Sequence, residues 1–118
     1  MASDMEPKVQ QTYLYDFYGE LLNEHQRKVF EDFVFNDLSL GEIAEEQGIS
    51  RQAVHDMIRR SIKKLEEYEH RLHLMERFLD LREKAVRIQK CAEEYERSRG
   101  EHLLDEIKQI SGEIIEEL

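Results

Sequence analysis

The stretch from Leu38 to Leu65, LSLGEIAEEQGISRQAVHDMIRRSIKKL, constrains this chain more than any other. It spells two short helices joined by a tight turn, a helix-turn-helix. Ser39 is placed to cap the first helix. Glu42, three residues on, completes a capping box, in which each side chain satisfies the other residue's free backbone N–H. Ile43 and Ala44 then face inward, and the smallness of Ala44 lets a second helix come close. Gly48 can take the positive φ of an abrupt helix stop. Ile49 plugs the turn and Ser50 caps the second helix. Val54, Ile58, Ile62 and Leu65, at spacings of four, four and three, give that helix one apolar stripe.

The outward positions of the second helix are Arg51, Gln52, His55, Asp56 and Arg59. In helix-turn-helix geometry the first turns of this helix are offered to the DNA major groove. Arg and Gln can bond base edges through two hydrogen bonds at once. Arg60, Lys63 and Lys64 follow, placed to meet phosphates. The alternative is a helical hairpin that only packs, with its polar face solvated. Helical periodicity fits both readings, but mere packing does not account for the small residue, the glycine and the caps together.

Within this stretch, Leu38-Ser39-Leu40, then Glu42 to Glu46, then Gly48-Ile49-Ser50-Arg51 resemble the helix-turn-helix of region 4 of bacterial sigma factors. Gln47 departs from that pattern, which has Leu or Phe before the glycine. Over a longer span, YDFYGELLNEHQRKVF and NDLSLGEIAEEQGISRQAVHDMIRRS are similar to the YlxM family of small bacterial proteins. The similarity covers about the first two thirds of the chain. It implies a DNA-binding regulatory protein that takes part in the signal recognition particle pathway. Alternatively, it implies a partner of that particle's RNA or GTPase that binds no DNA. Composition and spacing show neither role.

The chain has 118 residues, 37% of them charged and 40% hydrophobic, with one Pro and five Gly. Such a composition lets most of the length be helical. No β-branched run alternates at period two, so no sheet is expected. The expected fold is all-α: a sigma region 4-like head over residues 1–66, then long C-terminal helices over 67–118 for packing and dimerisation. No apolar run approaches the roughly 20 residues of a transmembrane helix, and the polar start, Met1 to Lys8, is unlike a secretory signal. A single cysteine, Cys91, precludes an internal disulfide and fits a reducing cytoplasm.

The net charge of −10 argues against indiscriminate nucleic-acid binding. Its distribution is uneven. Residues 50–65 hold Arg51, Arg59, Arg60, Lys63 and Lys64 against Asp56 alone. Residues 1–49 carry 11 acids against 3 bases, and residues 66–118 carry 15 against 9. The basic block therefore lies on the second helix. With a Debye length of about 8 Å at physiological salt, its field dominates at contact.

In chain order, residues 1–8 are expected to fray. Val9, Tyr13, Leu14, Phe17, Tyr18, Leu21 and Leu22 keep helical spacing, and Asn23 offers a cap for a second helix with Val29, Phe30, Phe33 and Val34 on its apolar face. These aromatics could form a stacking platform for bases, but their spacing favours a core. From Ser50 no obvious stop appears until Ser98-Arg99-Gly100. Ile58, Leu65, Leu72, Leu79 and Val86 recur every seven residues, and a second stripe runs through Leu74, Phe78, Leu81, Ala85, Ile88, Ala92 and Tyr95. One long helix, or two broken near His70 to His73, both fit. In the last segment Leu103, Ile107, Ile110, Ile114 and Leu118 keep heptad-like spacing. A helix this short needs something to pack on. A homodimer using these residues is expected, with packing inside the chain as the alternative.

No catalytic constellation is present. A metal needs three or four convergent ligands; His70 and His73, with Glu66, Glu69 and Glu76 near in sequence, read instead as a solvated helix face, so no metal and no cofactor are expected. Cys91, between Ile88 and Ala92, reads as a small packing residue. No glycine-rich phosphate loop occurs.

Overall fold

Pro7 opens the first helix. Its ring fixes φ near the helical value and it has no N–H to leave unpaired. The structure, a computed structural model, describes residues 5–118. In it α1 runs over Pro7–Tyr18. Of the frayed start expected over 1–8, residues 1–4 lie outside the described residues, and Pro7 and Lys8 are already helical. A 3-10 turn, Gly19–Leu21, closes α1. The expected apolar stripe breaks there: Leu14, Tyr18 and Leu22 are buried, whereas Val9 and Leu21 are exposed.

Asn23 starts α2 (Glu24–Val34) with a full capping box: Asn23 Oδ1 accepts the Gln26 N–H at 2.8 Å, and Gln26 Oε1 accepts the Asn23 N–H at 3.2 Å. Val29, Phe30 and Val34 are buried. Tyr15 stacks on Phe30 with ring centroids 5.0 Å apart, so these aromatics serve the interior. Asp32 is buried beside them. Its Oδ1 accepts from Lys28 Nζ at 3.2 Å and Asn36 Nδ2 at 2.9 Å, and its carbonyl accepts the Leu38 N–H at 3.0 Å. These bonds fasten the end of α2 to the loop that leads into α3 (Leu40–Gln47).

The next helix, α4, spans Arg51–Leu72, and α5 spans Leu74–Ser98. The chain between Ser50 and Ser98 is thus two helices, divided at His73, whose φ of 56° is left-handed. A non-glycine residue there costs on the order of 1–2 kcal/mol, so the surroundings must hold it. They do so through Tyr18 and Glu69. The Tyr18 hydroxyl donates to Glu69 Oε1 at 2.5 Å and accepts the Leu74 N–H at 3.1 Å; Glu69 Oε1 also accepts the Met75 N–H at 2.9 Å. Two donors of the first turn of α5, orphaned by helix geometry, are satisfied this way. Burial, and next the bond to Glu69, push the Tyr18 phenol up to about 12. The heptad line from Ile58 stops with the bend: Leu65 is fully buried, but Leu72 is 48% exposed.

Two compact units result, one ending at Met75 and the other covering Glu76–Leu118. In the second, α6 (Glu101–Glu117) runs antiparallel to α5. Lys84 Nζ, almost buried, donates to Glu117 and to Asp80 Oδ2, the latter at 3.0 Å. Seven residues on, the Glu106 carboxylate lies beside Cys91. Gly112 sits within α6, which continues through it. Leu103 and Ile110 are buried within their own chain, Ile107 and Ile114 are half-buried, and Leu118 is exposed. Among the described residues there is no strand, and no helix is long and apolar enough to cross a membrane.

Candidate nucleic-acid interface

The candidate interface comprises α3, the turn after it, and α4. Ser39 Oγ accepts the Glu42 N–H at 3.1 Å, and Glu42 Oε1 accepts the Ser39 N–H at 3.1 Å. This reciprocal pair starts α3 at Leu40. The helix stops at Gly48, whose φ of 69° a side chain would oppose. The Ile49 N–H reaches the Ala44 carbonyl at 3.1 Å and the Gly48 N–H reaches that of Glu45 at 3.4 Å. That crossed pattern is the Schellman closure of a helix end. Ile49 packs against the core beside Ala44, which supplies the apolar contact such a closure uses. Gln47, the departure from the sigma pattern, is half-buried. Two residues past Gly48, Ser50 Oγ accepts the Ala53 N–H at 3.0 Å and sets the start of α4.

Packing then orients α4. Val54 and Ile58 join Val29, Ile43 and Ala44 in one buried cluster, with Phe33, Leu38, Leu40, Met57 and Ile62 around it. Ser61 and Leu65 continue the buried face. The helical period places everything three or four residues from this stripe inside, and the remaining arc outside. Arg51, Gln52, His55, Arg59, Arg60 and Lys63 are exposed; Asp56 and Lys64 are half-exposed. Asp56 organises its neighbours: its Oδ1 accepts from Gln52 Nε2 at 3.1 Å and lies 3.8 Å from His55 Nδ1. Arg60 and Asp56, with Asn23, His25 and Gln26 from the start of α2, line a groove of about 420 Å³.

Spacing alone does not find every residue that matters here. Asp32 and Tyr18 hold the scaffold from outside the 38–65 stretch; a polar residue on an apolar face was the available signal for the former. Gly41, which no turn requires, lies under the Arg51 side chain: a Cβ built on it would stand 3.0 Å from both Nε and Nη2.

A capped helix, a glycine closure and a second helix with an exposed basic arc make this chain an all-α helix-turn-helix protein. It belongs to the UPF0122 family, described as "Putative helix-turn-helix protein, YlxM / p13 like", which matches residues 5–107. A UPF0122 protein of Thermoanaerobacter sp. (strain X514) is 44% identical over 106 residues, covering 89% of this chain and 91% of that protein. A UPF0122 protein of Bacillus cereus (strain AH187) is 40% identical over 114 residues, covering 97% and 98%.

Proposed function

We propose that this protein binds duplex DNA and acts as a regulatory protein, without catalysis. The observation that carries the reading is the basic exposed arc of α4, on a chain that is otherwise acidic. In this reading the first turns of α4 lie in the major groove, with Arg51, Gln52, His55 and Arg59 toward base edges. Arg60, Lys63 and Lys64 meet phosphates. The acidic remainder lowers affinity for indiscriminate sites. The resemblance to YlxM proteins supports a role in the signal recognition particle pathway. A second copy of the chain, recruited through the apolar residues that α6 leaves accessible, would give two half-sites about one or more helical turns apart.

The test is a fluorescence-anisotropy titration at two salt concentrations, with labelled genomic duplex fragments and with the signal recognition particle RNA, with and without its GTPase. The reading expects salt-sensitive duplex binding with some fragments clearly preferred. Arg59→Ala should then relax preference at one base pair by about 1–3 kcal/mol. Binding to the RNA or its GTPase complex alone would replace DNA reading with a docking role, in which phosphate contacts dominate because the A-form major groove is too narrow for α4. Sedimentation equilibrium checks the dimer; a monomer at every concentration removes the half-site geometry.

A further inference from the structure

Arg51 is the first residue of α4 and is exposed, yet its guanidinium lies beside another helix. It lies over Gly41, in the first turn of α3: a Cβ at Gly41 would meet Nε and Nη2 at 3.0 Å and Cζ at 3.2 Å. Such contacts are tighter than ordinary van der Waals packing, so even an alanine at 41 obliges the guanidinium to give way by a few tenths of an ångström. No backbone demand explains this glycine, because residue 41 sits inside a regular helical turn with no positive φ. Among the described residues Arg51 has no ion-pair partner, so its charge is not spent within the fold.

We propose that Gly41 is a positioning residue. By lacking a side chain it seats the Arg51 guanidinium against α3, and this makes Arg51 a phosphate contact rather than a reader of bases. In helix-turn-helix complexes the first helix crosses the DNA backbone while the second lies in the groove. A guanidinium resting on the first helix is on the backbone side. This rests on the DNA-binding reading above and refines it, moving Arg51 out of the base-reading set.

Gly41→Ala separates this role from a structural one. Alanine favours a helix over glycine, and the atoms it would strike are the far end of an exposed side chain. The melting temperature should therefore stay level or rise. Affinity should nonetheless fall about fivefold at 0.15 M salt, the effect of losing one phosphate contact, equally for preferred and unpreferred duplexes, with a salt slope shallower by about one. Arg51→Ala should do the same, and adding Gly41→Ala to it should change nothing further. Arg51→Ala that selectively relaxes one base pair overturns the proposal. So does Gly41→Ala that leaves binding unchanged, or that weakens it as much without Arg51 as with it. If the unaltered protein binds no duplex at all, the DNA-binding reading itself falls and takes this inference with it. A nuclear Overhauser contact between the Gly41 Hα protons and the Arg51 side chain, present or absent, then reports whether the seating was right.

Discussion

Replacing Tyr18 by Phe tests how the bend at His73 is held. The ring is buried to 1% exposure and stays so in the variant; only the hydroxyl goes. That hydroxyl makes two bonds, one to the Glu69 carboxylate and one from the Leu74 N–H. A hydrogen bond to a charged group contributes about 1.5–3 kcal/mol, and a backbone donor left without its acceptor adds roughly 1 kcal/mol. The expected loss is about 2–4 kcal/mol, a large share of the 5–15 kcal/mol typical of a domain. In urea, with a slope of about 1–3 kcal/mol per molar, the midpoint should drop by roughly 1–2 M. The pH profile gives an independent reading. The folded phenol titrates near 12 against 10 when unfolded, so its contribution is complete below pH 10. It fades as pH rises to 12, because only the unfolded chain releases the proton in that window. The wild type should lose on the order of 2–3 kcal/mol there beyond what Tyr18→Phe loses. Equal urea midpoints and parallel alkaline legs would show that the hydroxyl is a bystander and that something else holds His73.

Gly48→Ala should destabilise the protein by about 1–2 kcal/mol in urea unfolding, since alanine is forced to a φ of 69°. Hydrogen bonding to Lys84 holds the Asp80 carboxyl below its usual value. Its stabilising effect is therefore present above that usual value and lost as pH falls through the lowered one. Asp80→Asn should make the acid leg of the α5–α6 unit shallower, as followed by circular dichroism. Burial pushes the Cys91 thiol up, so a thiol reagent at neutral pH should react slowly with native protein and promptly in denaturant.

Signals that act over three or four residues were readable in advance: Ser39 with Glu42, Gly48 as the stop, Ser50 as the cap, and the stripe through Val54, Ile58 and Leu65. They are local backbone chemistry, and tertiary context leaves them in place. What escaped reading depends on distant partners. Tyr18 and Glu69 are 51 positions apart, and apolar spacing marks the ring but says nothing of the hydroxyl. His73 carries no glycine or proline to announce a break, so the sequence leaves one long helix and two helices broken near His70 to His73 both open, and the distant Tyr18 decides between them. Arg51 looks outward on a helical wheel because a wheel has no neighbouring helix for its guanidinium to rest on. The α6 residues expected to serve a dimer keep one spacing in sequence, yet Leu103 and Ile110 are buried in the chain while Leu118 is exposed.

The caps at Asn23, Ser39 and Ser50 also bear on how quickly the head assembles. Each joins groups only three residues apart, so each can form before the chain has collapsed. The frames of α2, α3 and α4 are then set before their faces meet, and collision of preset helices has little loop entropy to overcome. Helical domains dominated by such short-range contacts fold in about microseconds to milliseconds. A nascent chain carrying this head would acquire its helix-turn-helix almost as soon as Leu65 is free of the machinery that makes it.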